Sequence, residues 1–265
     1  MPSGFSCGAH TEKKWSTEVY SYCMGTHPFL QLLSSLLFPA LCCSCHRTLG
    51  ASARYRAICD MCSNRIPRNP YPKCPTCGRR CTEPRTSCHT ETPFVLLAAT
   101  EFATPEVRAL IHSLKYRGIR DAAEPLADLI VEHLTVALPM LGMERESFLL
   151  IPAPLHPHRK RERGIDQTAC IARALERRLP HQLTLEGSVL VRTRDTDSQT
   201  EQPNRKARFA NVAESFALRE PTPLVDANVL ILDDVCTSGA TMAEMVRTVR
   251  SARPRTVLGV VAAQA

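Results

Sequence analysis

The chain has 265 residues, of which 44% are hydrophobic and 22% charged, which predicts a globular protein with one full domain and a smaller module. Aromatic residues make up only 5%, which argues against a nucleic-acid surface built from stacking rings. The net charge of +7 predicts attraction to polyanions or phosphorylated ligands.

The amino-terminal segment is polar and aperiodic, and residues 1–31 are predicted to form a disordered tail. The apolar run at 29–43 is too short to cross a bilayer, and its first part, 29–38, predicts a short helix ended by Pro39. Lysines before this run would also suit a signal peptide, but no small-residue cleavage pattern follows it. A cytoplasmic location without membrane insertion is therefore predicted.

A cysteine-rich module is predicted at residues 32–92, which have little hydrophobic periodicity. Three pairs of cysteines there have Cys-x-x-Cys spacing, and two such pairs complete a tetrahedral zinc site. Redox-active or free thiols are the alternative, which three pairs in a segment without a core disfavour. Two structural Zn²⁺ sites are predicted. The first consists of Cys42, Cys45, Cys59 and Cys62, and the second of Cys74, Cys77 and Cys88 with Cys81, or else His89, as the fourth ligand.

From residue 93 onwards, strands alternate with helices. Strands that are apolar on both faces, joined by amphipathic helices, are typical of a parallel sheet covered on both sides. Residues 93–265 are therefore predicted to form an α/β domain. Its strands are predicted at 93–102, 147–154, 185–192, 228–234 and 255–265, and its helices at 105–116, 122–138, 164–179 and 240–252.

The stretch VLILDDVCTSGATM, residues 229–242, ends a buried strand in two adjacent carboxylates, Asp233 and Asp234. Ligands of open α/β folds bind at this carboxyl edge of the sheet. The loop from Thr237 to Thr241 offers backbone N–H groups and hydroxyls in front of a helix, which suits a phosphate. An ordinary capped helix start is the alternative, but it leaves the acidic pair unexplained. A sugar phosphate fits both parts.

Two basic segments are candidate anion ligands. The first, IPAPLHPHRKRERG at 151–164, follows a predicted strand, and its cations are Arg159, Lys160, Arg161 and Arg163. Such a run usually marks a solvated face, but its place after a strand makes anion binding an equal alternative. The second is a turn with a less definite, accessory role, and it consists of Lys115, Tyr116 and Arg117.

The acidic stretch resembles the 5-phosphoribosyl 1-diphosphate (PRPP) signature of type I phosphoribosyltransferases. Together with LCCSCHRTL, LIHSLKYRG, IPAPLHPHRKRERGIDQ and RDTDSQT, in this order, it is similar to the ComF family, which includes ComFC and GntX-like proteins. The resemblance covers about residues 32–265. It implies a phosphoribosyltransferase-like parallel sheet, flanked by helices and preceded by a double zinc ribbon.

The resemblance also implies roles for individual residues. Asp233 and Asp234 would hold the ribose hydroxyls, directly or through Mg²⁺, and the basic segment would form the loop that holds the diphosphate. Residues 193–211 would form a mobile loop that closes over the ligand. The 5′-phosphate would be bound by Thr237, Ser238, Gly239, Ala240 and Thr241. The chain departs from the family pattern at Ile165, Asp166 and Cys236.

Two functions remain open at this stage. In the first, the chain transfers a phosphoribosyl group from PRPP to an acceptor. In the second, the PRPP site is regulatory or vestigial, and the chain binds single-stranded DNA together with the DNA-uptake machinery of natural transformation. The link of the ComF family to DNA uptake and the positive charge favour the second, whereas the scarcity of aromatic residues does not.

Overall fold

The computed structural model describes residues 39–50, 52–84, 88–195 and 205–265. The predicted tail at 1–31 and the predicted helix at 29–38 lie outside these residues, as does the 196–204 part of the predicted mobile loop. Residues 40–265 form one compact unit. Whether the segments on either side of residue 92 fold independently stays a prediction.

Five parallel strands form the main sheet, in the order β1-β7-β6-β2-β3. Two short strands, β4 and β5, pair antiparallel in a separate two-stranded sheet. This confirms the predicted parallel sheet. The strands are β1 (Leu96–Glu101), β2 (Phe148–Pro152), β3 (Leu183–Leu185), β4 (Leu190–Arg192), β5 (Phe216–Leu218), β6 (Asn228–Cys236) and β7 (Thr256–Gln264).

Helices cover both faces of this sheet. Successive side chains along a strand point alternately into two apolar cores, one on each face. In β6, Leu230 and Leu232 face one core, while Val229 and Ile231 face the other. The first core is covered by α2, α3 and α5, and the second by α7 and the β4–β5 strand pair. The helices are α1 (Asp60–Asn64), α2 (Pro105–Tyr116), α3 (Ala123–Met140), α4 (Pro157–Arg163), α5 (Gln167–Arg178), α6 (Arg205–Val212) and α7 (Ala240–Arg250). Among the described residues, no helix is long and apolar enough to cross a membrane.

The cysteine-rich segment packs along β1, at the edge of the main sheet. Lys73 pairs antiparallel with Leu96, and the Asn69 N–H donates to the Ala99 carbonyl at 2.9 Å. These contacts satisfy backbone groups that an uncovered edge strand would leave open to other chains. The segment is therefore joined to the sheet by backbone hydrogen bonds as well as by side chains.

Three expectations about local structure were wrong or incomplete. The strand predicted at 185–192 is divided between two strands. The chain leaves the main sheet at Glu186 and Gly187 and enters the two-stranded sheet at Leu190. The basic segment forms helix α4 rather than a loop, with Pro157 in its first turn and Gly164, at φ +65°, at its end. The predicted mobile loop contains α6, whose Val212 is buried.

Candidate functional site

A cavity of about 490 Å³ lies at the carboxyl edge of the main sheet. The ends of β6 and β2 border it, as do α2, α4, the β4–β5 strand pair and the loop before α7. Its charged lining contains more cations than carboxylates, which favours an anionic ligand. These charged residues are Arg108, Lys115, Arg159, Arg163, Arg192 and Arg208 on one hand, and Asp233 and Asp234 on the other.

The acidic pair lies near the carboxyl end of β6, just beyond Leu232, the last residue of β6 that pairs with β2. Asp233 is in register with Val261 of β7, and the Ala153 N–H donates to the Leu232 carbonyl at 2.7 Å, so the chain after β2 runs beside the pair. The Asp234 N–H donates to Asp233 Oδ1 at 2.8 Å. Asp234 is buried, and its Oδ2 has no hydrogen-bond partner among the described residues. A buried acceptor of this kind is suited to a ligand hydroxyl.

Lys115, predicted as an accessory residue, contacts the pair directly. Its Nζ lies 2.8 Å from Asp234 Oδ1. Burial alone would lower the pKa of Lys115, but attraction to Asp234 raises it above its usual value. Burial and then repulsion from Asp234 raise the pKa of Asp233 to about 7. The two carboxyl groups therefore differ: Asp234 is paired with an ammonium, while the pKa of Asp233 is raised to about 7.

The predicted phosphate loop is tightly placed at the start of α7. Gly239 has φ +78°, and a Cβ at this position would lie 3.2 Å from Thr92 Cγ2 and 3.7 Å from Pro75 Cβ. Only glycine combines this backbone conformation with so close an approach. Thr237 and Thr241 line the cavity, whereas Ser238 Oγ accepts from the Ala240 N–H at 3.4 Å within the loop.

Helix α4 divides the predicted basic ligands into two pairs. Arg159 and Arg163, one turn apart, line the cavity, while Lys160 and Arg161 are exposed and outside its lining. Arg163 lies over the ring of Tyr116, with 5.6 Å between its Cζ and the ring centroid. Of the accessory turn, Lys115 and Tyr116 line the cavity, but the exposed Arg117 does not.

The sequence did not single out several residues that line the cavity. Arg192 ends β4, and burial, followed by repulsion from Arg159, lowers its pKa. Cations that repel one another at a cavity wall are typical of an anion site. Gln167, in the first turn of α5, is buried, and its Oε1 has no hydrogen-bond partner among the described residues. Arg108 and His112 share the cavity-facing side of α2. The sequence feature that could have indicated Arg192 is its position as a cation at the end of a predicted strand.

Two groups of cysteine and histidine side chains fit closed metal sites. In each, the four ligand atoms lie within 4.8 Å of one another. Two sulfurs bound to one tetrahedral zinc ion are about 3.8 Å apart. Cys45 Sγ and Cys59 Sγ are 3.7 Å apart, and Cys77 Sγ and Cys88 Sγ are 3.3 Å apart. The first group consists of Cys42, Cys45, Cys59 and Cys62, and the second of Cys74, Cys77, Cys88 and His89.

The fourth member of the second group corrects the sequence prediction, which put Cys81 there. His89 Nδ1 lies 3.2 Å from Cys88 Sγ and 3.5 Å from Cys74 Sγ. Cys81 is buried elsewhere, with its thiol 3.8 Å from the Arg79 carbonyl, because the chain has already turned back at the Lys73–Arg80 bridge. His89 was the alternative that the sequence left open.

One cysteine in each group is prepared as a thiolate. Burial opposes ionisation of Cys42, but backbone N–H groups, first that of Cys45, lower its pKa to about 7. In the second group, burial is likewise opposed by the N–H groups of Cys77 and Thr76, and the pKa of Cys74 falls to about 6. A thiolate is the form that binds zinc. Both groups therefore suit structural zinc in donor type and spacing.

Comparison with known proteins gives relatives along most of the chain, although no family model matches. The chain is 27% identical over 214 residues to the DNA utilization protein YhgH of Salmonella typhimurium, which is 79% of this chain and 90% of that protein. Over the same shares it is 29% identical to YhgH of Escherichia coli O157:H7 and 28% to that of Escherichia coli K12. The resemblance to the ComF family is thereby confirmed.

Solved structures give a weaker likeness. A Trypanosoma cruzi hypoxanthine phosphoribosyltransferase matches with a TM-score of 0.30 and 16% identity, over 55% of this chain and 64% of the other, which is less than two thirds of its length. An asparagine mutant of a hypoxanthine phosphoribosyltransferase matches with the same TM-score and identity, over 65% of its length. Scores this low add nothing to the fold assignment, which rests on the sheet and its helices.

Proposed function

We propose that the cavity binds PRPP or a closely related ribose 5-phosphate. The observation that carries this proposal is the meeting of two features in one cavity: the acidic pair at the end of β6, and the loop of residues 237–241 at the start of α7. Carboxylates accept hydrogen bonds from sugar hydroxyls, and a helix start with free N–H groups binds phosphate. The arginines around them match the remaining charge of a diphosphate.

In this proposal each wall has a separate role. Asp233 and the Oδ2 atom of Asp234 accept from the ribose hydroxyls, and the loop with Thr237 and Thr241 holds the 5′-phosphate. The diphosphate lies against Arg159, Arg163 and Arg192. The donors are already in place before the ligand arrives, so little reorganisation is required.

A phosphoribosyl transfer is the reaction that this arrangement would support. The bond from ribose C1 to the diphosphate oxygen breaks, its electron pair leaves with the diphosphate, and C1 forms a bond to the acceptor, which loses a proton to solvent. Arg159 and Arg163 would stabilise the departing charge, and the carboxylates would hold the ribose as positive charge develops on it. Mg²⁺ fits better as an ion carried by the diphosphate oxygens than as one held by the acidic pair, because Asp234 Oδ1 already contacts Lys115.

Calorimetric titration of the zinc-loaded full chain with PRPP and Mg²⁺ tests the proposal. Micromolar binding is expected, and the double variant Asp233→Asn/Asp234→Asn should bind at least about 100-fold more weakly, since it loses two charged acceptors (each worth about 1.5–3 kcal/mol). Asp121→Asn, an exposed aspartate outside the cavity lining, is the control. Undetectable binding to the unaltered chain, or equal binding to the double variant, would contradict the proposal.

Single-stranded DNA is a second candidate ligand. The name of the YhgH relatives supports DNA utilization, and the cations that the cavity leaves outside, Arg117, Lys160 and Arg161, are exposed to solvent, where DNA phosphates could reach them. Such a role would suit the predicted cytoplasmic location and a place beside the DNA-uptake machinery. It is compatible with a PRPP site, because the two sets of cations are different.

The DNA candidate is tested by fluorescence anisotropy with a labelled 30-nucleotide oligothymidylate at several salt concentrations. The variant Lys160→Gln/Arg161→Gln should weaken binding several-fold and lower the salt slope by about 1–2, while leaving PRPP binding unchanged. Arg145→Gln/Arg173→Gln, which removes two exposed arginines outside the cavity lining, is the matched control. A DNA affinity that does not respond to salt would exclude a phosphate-driven interface.

A further inference from the structure

The acidic pair has a cation of its own. Lys115 comes from the last turn of α2 and reaches Asp234 Oδ1 with its Nζ at 2.8 Å. Its side chain is 20% exposed and that of Asp234 is 6% exposed, so the ion pair lies inside the cavity wall rather than on the surface. Lys115 is thus a cation in direct contact with Asp234.

The helix end holds Lys115 in this position. Leu114 and Ile111 are buried in the core beneath α2, and the N–H groups of Arg117 and Ile119 both donate to the Ser113 carbonyl at 3.2 Å. The last turn is therefore fixed on both sides of the lysine. Holding the ammonium at Asp234 then requires only that the lysine side chain be ordered, and its low exposure shows that it is packed.

The ion pair also fixes which atoms remain for a ligand. With Asp234 Oδ1 bound to the ammonium, Oδ2 is buried and lacks a partner among the described residues. An ammonium has three N–H donors, of which the Asp234 contact uses one. The remaining donors of Lys115 and the acceptor Oδ2 of Asp234 together provide the donors and the acceptor that a vicinal pair of ribose hydroxyls needs.

We propose that the Lys115 ammonium is the resident counter-ion of the acidic pair and stands where a divalent cation would otherwise bind. The inference rests on the proposed function for the identity of the ligand. The ribose phosphate binds while Asp234 remains paired with Lys115, and no metal ion on the carboxylates is required. A Mg²⁺ ion there would need oxygen ligands at about 2.0–2.1 Å in octahedral geometry, and the lysine holds one of the few available.

The first test measures the pair without any sugar. Mn²⁺ is titrated into the zinc-loaded chain and its free fraction is followed by electron paramagnetic resonance. Lys115→Met should bind Mn²⁺ at least 10-fold more tightly than the unaltered chain, because it removes the positive charge and leaves both carboxylates free. Arg108→Met, which removes a cation from the same helix and cavity, should change the affinity by less than 3-fold. Equal Mn²⁺ affinity in Lys115→Met and the unaltered chain, or an equal gain in Arg108→Met, would overturn the proposal.

The second test asks whether the sugar needs a metal. Ribose 5-phosphate, which carries no diphosphate to bring an ion, is titrated calorimetrically in buffer freed of divalent ions and again with Mg²⁺, with the zinc content verified in both. The affinities of the unaltered chain for ribose 5-phosphate with and without Mg²⁺ should agree within 3-fold. Lys115→Met should lose at least 10-fold without Mg²⁺ and recover when Mg²⁺ is added. Strict dependence of the unaltered chain on Mg²⁺ would overturn the proposal.

The two tests separate this inference from the proposed function. If ribose 5-phosphate and PRPP both fail to bind under any condition, the proposed function fails, and the Mn²⁺ titration still decides whether Lys115 holds the cation position. If the sugar phosphate binds and the lysine variant behaves as the unaltered chain in both tests, the proposed function stands and the role of Lys115 does not.

Discussion

The two cysteine groups have nearly the same chemistry but different neighbours. The first group lies against α3, where the Tyr55 hydroxyl donates to Asp128 Oδ2 at 2.6 Å and Arg54 Nη2 lies 3.1 Å from the same oxygen. The second group lies close to the candidate site, because Thr92 Cγ2 and Pro75 Cβ lie 3.2 Å and 3.7 Å from where a Cβ on Gly239 of the phosphate loop would be. One group supports a helix on the face of the sheet, and the other supports the loop that meets the ligand.

This difference indicates that two groups with similar ligand sets can have different functions. Thr92 and Pro75 are close to the ligands of the second group in sequence, and the hydroxyls of Thr76 and Thr92 are 2.7 Å apart. Gln264 Nε2 donates to the Pro75 carbonyl at 3.4 Å and links the same knuckle to the end of β7. A disturbance of the second group therefore has a short contact path to the phosphate loop.

The largest expected effect is a difference between Cys74→Ser and Cys42→Ser. These cysteines are a matched pair, since both are fully buried and both belong to a Cys-x-x-Cys knuckle. Each variant should lose about one zinc ion per chain by elemental analysis. Cys74→Ser should also lose at least about 100-fold in PRPP affinity by calorimetry, because its knuckle no longer supports Gly239. The PRPP affinity of Cys42→Ser, measured below the melting temperature of this variant, should stay within 3-fold of that of the unaltered chain. Equal losses in the two variants would mean that the groups are functionally equivalent.

Asp128→Asn should disturb the first group without disturbing the site. Burial would raise the pKa of Asp128, but hydrogen bonds from Tyr55 and Arg178 hold it below its usual value. Replacing this shared acceptor should lower the free energy of unfolding in urea by about 2 kcal/mol, with PRPP affinity unchanged. Glu132→Gln, whose partner Arg68 lies at 2.8 Å on the surface, is the control and should change it by less than about 1 kcal/mol. A loss of PRPP affinity in Asp128→Asn would show that the first group also acts on the site.

Gly239→Ala tests the contact between the second group and the loop. The added Cβ meets Thr92 Cγ2 at 3.2 Å, and alanine must also adopt φ +78°. The PRPP affinity should fall by about 1 kcal/mol, or roughly fivefold. The double variant Gly239→Ala/Thr92→Ser should recover part of this loss, because serine lacks the Cγ2 methyl but keeps the hydroxyl that faces Thr76. Without such recovery, the whole loss would come from the backbone.

Local sequence patterns predicted the parts of this molecule that are close together in the chain. The acidic pair, the phosphate loop and the first cysteine group each lie within a short segment, and the apolar runs of β6 and β7 specify a buried parallel sheet. What the sequence missed depends on contacts between distant residues. Arg192 faces the cavity because β4 pairs with β5, some 25 residues later in the chain, and Lys115 meets Asp234 only after α2 packs on the sheet.

The choice between Cys81 and His89 shows the same limit. Both residues lie within reach of Cys74 and Cys77 in sequence, and nothing in the spacing separates them. The decision is made by the turn at the Lys73–Arg80 bridge, which carries Cys81 away from the group and into the core. Helix α4 is a second example, because a run of basic residues does not reveal which cations share a helical face until the helix is recognised.

The smallest expected effect is a difference in pH dependence between the two regions. Because the folded pKa of Asp233 is raised to about 7, the folded carboxyl keeps its proton where the unfolded one has lost it, so this group's contribution to stability is lost as the pH rises towards 7. The melting temperature of Asp233→Asn, relative to that of the unaltered chain, should therefore rise by a few degrees between pH 5.5 and 7.5. This corresponds to about 1 kcal/mol in the free energy of unfolding.

Asp128→Asn supplies the contrast for this measurement. Its pKa is lowered, so Asp128 is ionised in both the folded and the unfolded chain throughout this pH range, and its contribution is lost only at more acid pH. The difference in melting temperature between Asp128→Asn and the unaltered chain should thus stay constant from pH 5.5 to 7.5, as followed by circular dichroism with zinc content verified at each pH. Parallel behaviour of the two variants would mean that the pKa of Asp233 is not raised in the folded chain, and the electrostatic distinction between the two regions would fail.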